Sequence, residues 1–216
     1  MQSIDRLYFI SQENTEDSHL ISIRRALDAG CKLVQLRVKN QPIENVLSQA
    51  IQARKLCNLY NARLMINDFP EIALSVKAEG VHLGPDDSSL PEARTMLGDT
   101  LIIGAEANTF DDIFQRVSQG ADYISVGPFR FTTTKKNLGA LIGLPGYQNI
   151  MADMRLNNII TPVVAVGGIT ADDVYELLEA GVYGFAFSGA ITRSKNPAAT
   201  VEQIQDVINN YLLTKA

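Results

Sequence analysis

The sequence predicts an α/β fold, a single (β/α)8 TIM barrel, on three observations. Eight short and nearly all-apolar segments alternate with eight stretches of helical periodicity. Strand follows strand at an average of roughly 25 residues, enough for a short strand, a helix and two tight loops. Cations, carboxylates, hydroxyls and glycines gather directly after the apolar segments, on what would be one rim.

The first strand is expected at Leu7 to Ile10, with a helix near 16–29 closed by Gly30 in the manner of a C-cap glycine. The second, Leu33 to Leu36, leads to a helix near 43–60. The third, Leu64 to Ile66, leads to one near 71–77 with Gly80 behind it as a further cap. Val81 to Leu83 precedes a helix near 90–97, and Leu101 to Ile103 precedes one near 110–119 that Gly120 closes. Tyr123 to Val126 precedes a helix near 146–156. Val163 to Val166 comes before a helix near 171–180, opened by Thr170-Ala171-Asp172-Asp173 as an N-cap with an acidic first turn and closed by Gly181. Gly184 to Phe187 and a helix near 197–213 complete the set. Strands apolar on both faces are those of a buried parallel sheet. An open doubly wound sheet uses similar units, but eight of them favour closure, which puts an active site at the C-terminal rim.

Gly and Pro are scattered as turn markers, and no linker, low-complexity stretch or repeat divides residues 1–216, so one domain is expected. The 19 basic and 24 acidic residues give a net charge of −5, without the basic excess of a nucleic-acid footprint, and aromatic residues at 7% leave little for base stacking. There is no signal-peptide core and no 18-residue apolar span, so no membrane partner is expected and the location is expected to be cytoplasmic. Cys31 and Cys57 lack CxxC spacing and are expected as buried small hydrophobes.

Gln35, Arg37 and Lys39 stand two apart around the end of the second strand, where alternate side chains share a face. A buried strand has apolar residues there; a guanidinium fork and an ammonium instead suit phosphate oxygens. Asn67-Asp68 ends the third strand, and Asp87 follows the fourth within Gly84-Pro85-Asp86-Asp87. Two carboxylates on adjacent loops suit Mg²⁺, which takes one or two carboxylates with waters and substrate phosphates; each could instead cap the next helix. Thr132, Thr133, Thr134 and Lys135 follow the sixth strand as a segment rich in anion donors. Gly167-Gly168 after the seventh and Ser188-Gly189 after the eighth fall where barrels bind phosphate with loop amides. Two anionic sites on one rim imply two phosphorylated small-molecule substrates, one a diphosphate and the other a monophosphate.

In their joint order, Gln35-Leu36-Arg37-x-Lys39, Asn67-Asp68, Gly80-Val81-His82-Leu83-Gly84-x-x-Asp87, Gly120-Ala121-Asp122-Tyr123-Ile124-x-x-Gly127-Pro128, Thr132-x-Thr134-Lys135 and Gly167-Gly168-Ile169 resemble the thiamin phosphate synthase (thiamine-phosphate pyrophosphorylase) family, over about residues 7 to 205. The resemblance implies a Mg²⁺-dependent transferase that joins an aminopyrimidine diphosphate to a thiazole phosphate or its carboxylated form, giving thiamin phosphate and diphosphate. It further implies that Gln35, Leu36, Arg37, Val38, Lys39, Asn67, Glu106 and Lys135 hold the pyrimidine diphosphate. Arg37, Lys39 and Lys135 would serve as catalytic cations. Asp68 and Asp87 would bind Mg²⁺, and Thr132, Thr133, Thr134, Gly168, Ser188 and Gly189 would take the thiazole phosphate.

The chain departs from the family at Glu106, expected in the loop after the fifth strand where a small hydroxyl residue is frequent and open there to a contact with the pyrimidine amine, to metal-bound water or to an outward direction, at Arg130-Phe131 in place of Phe-Pro, and at Phe69 in place of an Arg. His82 is expected as a satisfied core or supporting group and His19 on a helix surface. A thiazole tautomerase is the rival, but its histidine base falls on Asn108 here; a non-catalytic phosphate-binding barrel is the third alternative. A homo-oligomer is compatible with a helical exterior, and the sequence leaves that state open.

Overall fold

The computed structural model describes residues 4–13, 17–132 and 140–215. Eight parallel strands pair in chain order and the eighth closes on the first: β1 (Leu7–Ile10), β2 (Leu33–Leu36), β3 (Arg63–Asn67), β4 (Gly80–Leu83), β5 (Ile102–Ala107), β6 (Tyr123–Val126), β7 (Val163–Val166) and β8 (Gly184–Phe187). Helices α1 (His19–Asp28), α2 (Ile43–Leu59), α3 (Pro70–Ser75), α4 (Leu90–Leu97), α5 (Phe110–Ser118), α6 (Gly143–Leu156) and α7 (Val174–Ala180) lie between them. After β8 come α8 (Gly189–Thr192) and α9 (Pro197–Lys215). The predicted (β/α)8 TIM barrel is the fold observed.

Helix ends carry the local signals that define them. Ser89 and Thr109 accept from the backbone N–H groups of Glu92 and Asp112, whose carboxylates reach back to complete capping boxes. Thr170 does the same with Asp173, opening a short 3₁₀ turn, Ala171–Asp173, ahead of α7. Gly30, Gly120 and Gly181 follow their helices with φ of 102°, 91° and 106°, the left-handed region. Gly80 is different: it opens β4 rather than capping α3, because a Cβ there would lie 2.1 Å from the Ile102 carbonyl oxygen of β5. Strand β5 extends to Ala107 and α6 begins at Gly143, and α8 was not predicted, four residues being too few for periodicity to register.

Alternation along the strands sorts the core into two. Tyr8, Leu33, Met65, Ile102, Tyr123, Val164 and Ala186 pack inside the barrel, whereas Phe9, Val34, Leu36, Ile66, Ile103, Ile124 and Phe185 pack outward against the helices. Room for Tyr123 comes from Gly104, where an added Cβ would lie 2.1 Å from the phenol ring. Cys31 and Cys57 are buried and free, as expected, and burial pushes their thiols up to about 12 and about 11. His19 is not on the surface: at the first turn of α1 it is buried, with Nδ1 3.0 Å from Ser11 Oγ. No helix among the described residues is long and apolar enough to cross a membrane.

Candidate active site

A cavity opens at the C-terminal ends of the strands, and the inward face of the barrel supplies its floor. Gln35 of β2, Asn67 of β3, His82 of β4, Glu106 of β5 and Ser125 of β6 all line it, each on the same face as the interior apolar residues one pleat below. The register links them directly: Asn67 pairs with His82, and Glu106 with Ser125.

Beneath this floor a chain of buried hydrogen bonds crosses the barrel. Gln35 Nε2 donates to Tyr8 Oη at 2.8 Å, Tyr123 Oη lies 3.2 Å from Tyr8 Oη, and His82 Nδ1 lies 2.9 Å from Tyr123 Oη. His82 Nε2 is 3.1 Å from Ser125 Oγ, which returns the chain to the cavity. The His82 ring also stacks on Tyr123 with centroids 5.5 Å apart. His82 is thus the satisfied supporting group expected. Burial holds both tyrosines far above their ordinary range, so they stay neutral and serve as fixed struts for the Gln35 amide.

Arg37 lines the cavity, and its backbone N–H donates to Ser11 Oγ at 2.9 Å. Lys39 pairs with Asp68 at 2.5 Å, joining the loops after β2 and β3. Leu36 and Val38 behave differently, because their side chains are buried in the outer apolar layer and only their backbone can face a ligand.

Asp68 adopts φ of +70°, a conformation uncommon outside glycine, and its N–H donates to the His82 carbonyl at 2.9 Å. Its carboxyl shares a hydrogen bond with that of Asp87. Burial first, and then this bond to a second acid, push Asp68 up to about 6. Burial also pushes Asp87 up, but the bond from Asp68, the Gly84 N–H at 2.7 Å and the Lys39 charge outweigh it and hold it below its usual value. Two facing carboxyl groups mark a place for a cation. Among the described residues no cluster of three His, Cys, Asp or Glu side chains exists. The pair therefore fits Mg²⁺, which completes its shell with waters and phosphate oxygens, better than a metal that needs an all-protein cage.

On the opposite side Gly167 and Gly168 stand at φ of 95° and 73°, and Gly168 passes so close to the loop after β6 that a Cβ would lie 2.5 Å from Arg130 Cγ. Ser188 and Gly189 face the same space. Two side-chain atoms lining the cavity, Asn67 Nδ2 beside Asp68 and Ser188 Oγ across from it, are buried without a partner among the described residues. A buried polar atom costs free energy unless it finds a partner, so both are poised for a ligand.

Of the sixteen residues predicted for the site, Gln35, Arg37, Asn67, Glu106, Thr132, Gly168, Ser188 and Gly189 line this cavity. Lys39, Asp68 and Asp87 form the cluster at its edge. Thr133, Thr134 and Lys135 lie outside the described residues. Glu106 sits on β5 itself rather than in the following loop, because the strand runs one residue beyond it to Ala107. Asn108, the position where a tautomerase base would stand, has its amide 2.5 Å from Gly127 O and 3.2 Å from Ala107 O, where its nitrogen donates to both and ties β5 to the loop after β6.

Among the polar residues lining the cavity, Ser125 and Arg193 were not singled out from the sequence. Ser125 was visible as a lone hydroxyl in an apolar strand, two residues from Tyr123 and so on the same face. Arg193 lines the cavity one turn after Gly189; it lies against that glycine so closely that a Cβ there would be 2.2 Å from a guanidinium nitrogen. Its signal was a cation four residues after Gly189.

The sequence profile of the family described as thiamine monophosphate synthase matches residues 7–191. The chain is 46% identical to the thiamine-phosphate synthase of Bacteroides thetaiotaomicron over 198 residues, covering 92% of this chain and 95% of that one. It is 45% identical to the thiamine-phosphate synthase of Phocaeicola vulgatus over 201 residues, covering 93% and 97%. Among solved structures, thiamine phosphate pyrophosphorylase from Pyrococcus furiosus superposes with a TM-score of 0.80 at 30% identity, covering 95% of this chain and 96% of that one. A 3-hexulose-6-phosphate synthase, TM-score 0.65 at 14% identity, shares the fold alone.

Proposed function

Since the chain belongs to the thiamine monophosphate synthase family and is a transferase with thiamine-phosphate synthase activity, we propose that it joins an aminopyrimidine diphosphate to a thiazole phosphate, with or without a carboxyl group, at this cavity. The observation that carries the placement is the pair of unpartnered buried atoms, Asn67 Nδ2 and Ser188 Oγ, on one cavity that also holds the Arg37 cation.

Gln35, its amide held by Tyr8, and Asn67 position the pyrimidine, while Arg37 and Lys39, and Lys135 by its family motif, neutralise its diphosphate. Ser188 Oγ, the Gly168 and Gly189 N–H groups and Thr132 to Thr134 receive the thiazole phosphate. Asp68 and Asp87 would hold Mg²⁺, which when bound neutralises charge on the diphosphate. The bond from the pyrimidine methylene to diphosphate oxygen breaks with its electron pair leaving on the diphosphate. The electron-rich ring spreads the positive charge, and the thiazole nitrogen then forms the new bond. What the side chains contribute is alignment and charge, with no side-chain nucleophile. We further take residues 1–216 as one domain acting in the cytoplasm on these two phosphorylated small molecules.

The test is diphosphate release by the purified protein with both substrates and Mg²⁺, each omitted in turn. Release that needs all three, with thiamin phosphate formed, is the expected result. Folded protein that releases nothing with all three present would overturn the assignment.

A further inference from the structure

The cavity wall holds a carboxylate where two anionic substrates must meet. Glu106 is the only acidic side chain among the described residues lining the cavity, and strand geometry fixes its direction. Gly104, two residues earlier, faces Tyr123 inside the barrel, while Ala105 and Ala107 are buried in the outer layer, so Glu106 points inward at the mouth beside its register partner Ser125. Arg37 with the Lys39–Asp68–Asp87 cluster defines one end of the site, and Gly168, Ser188 and Arg193 define the other. Both ends are built for anions, and a carboxylate between them repels any phosphate that strays there.

The one part of the reacting pair that becomes positive is the aminopyrimidine methylene, in the interval after the carbon–oxygen bond breaks and before the carbon–nitrogen bond forms. We propose that Glu106 is a catalytic residue whose carboxylate stabilises this developing positive charge on the aminopyrimidine. The proposal rests on the synthase reading above. Glu106 neither gains nor loses a proton in the step: the electron pair leaves with diphosphate, the thiazole nitrogen supplies the new pair, and nothing is oxidised or reduced. A fixed carboxylate in the cavity wall acts on charge that appears only in the transition state. It also accepts a hydrogen bond from the pyrimidine amine, the group through which the ring donates electron density.

Wild-type release dependent on both substrates and Mg²⁺ first establishes the synthase reading by itself. Glu106→Gln, which keeps shape and removes charge, is then expected to lower kcat about 100-fold while KM for each substrate stays within about 3-fold. A second readout does not depend on turnover: calorimetric binding of the 5-aminomethyl pyrimidine, which carries an ammonium on the reacting position, against the neutral 5-hydroxymethyl pyrimidine, both in the presence of diphosphate. Glu106→Gln is expected to reduce the preference for the ammonium compound about 10-fold or more, and Glu106→Ser to do the same. An unchanged preference, or a rise in KM for the pyrimidine diphosphate at constant kcat, would overturn the proposal and leave Glu106 as a diphosphate-side contact.

Discussion

Asp68 and Asp87 come from different loops, yet their carboxyl groups share one hydrogen bond, with Lys39 2.5 Å from Asp68 and the Gly84 N–H 2.7 Å from Asp87. The Gly84 N–H holds Asp87 from within its own loop, and the pairing of β3 with β4 brings Asp68 beside it.

This pair sets a pH dependence for the metal-free protein. The Asp68 carboxyl is raised to about 6 from an ordinary 3.8, so its contribution to stability is full below 3.8 and is lost as pH rises through about 6. Asp68→Asn keeps the left-handed backbone, which Asn tolerates well, and removes the titration. In chelator, the melting temperature of wild type relative to this variant should fall between about pH 4.5 and about pH 7.5. Added Mg²⁺ should raise the wild-type melting temperature more at the upper pH, and Asp68→Ala or Asp87→Ala should remove both that rise and turnover. A pH-independent difference between wild type and Asp68→Asn would refute the shared proton.

Ser188→Ala should separate stability from function. Its Oγ is buried without a partner among the described residues, so deleting it leaves the melting temperature unchanged or raises it, by at most about 1 kcal/mol of stability. KM for the thiazole phosphate should rise about 10-fold, since a hydrogen bond to a charged group contributes about 1.5 kcal/mol or more. A destabilised variant with normal KM would show that Ser188 supports the fold instead.

Gly104→Ala tests the packing under the floor. The added methyl would overlap the Tyr123 ring, which carries the hydrogen bonds to Tyr8 and His82. The expected loss is about 2 kcal/mol, read by urea denaturation, with a lower kcat because Gln35 loses its support. An unperturbed midpoint would mean that Tyr123 can move at no cost.

His19 gives a second pH signature with the opposite sign. Burial lowers its basicity from 6.5, so its contribution is full above 6.5 and is lost as pH falls through the lowered folded value. Replacing His19 with Asn should flatten the stability profile below about pH 6.5, followed by thermal melts. Unaltered acid sensitivity would show that His19 is not a source of it.

Much of this was legible in the chain. Each strand is short and apolar because both faces are buried, and that pattern survives in one sequence without any partner known. Capping at Thr170 and the left-handed Gly30, Gly120 and Gly181 are likewise local, since the residue itself sets the allowed backbone. Gln35, Arg37 and Asn67 stood out as polar residues where burial alone would ask for apolar ones. Gly80 misled because glycine signals a need for space, and the sequence does not say whether a turn or a neighbouring strand imposes it. His19 misled because its helix-surface pattern could not register Ser11 folding over it.

By itself the sequence determined the alternation of eight strands and helices, the rim on which its polar and glycine residues gather and the family, because periodicity, capping and motif order are properties of neighbouring residues. Only the tertiary structure decided that Glu106 faces inward, that Leu36 and Val38 face outward, that Tyr8, Tyr123 and His82 link Gln35 to Ser125, and that the carboxyl groups of Asp68 and Asp87 meet. Those relations depend on strand register and barrel closure, which bring together groups more than a hundred residues apart, as Tyr8 and Tyr123 are at a separation of 115.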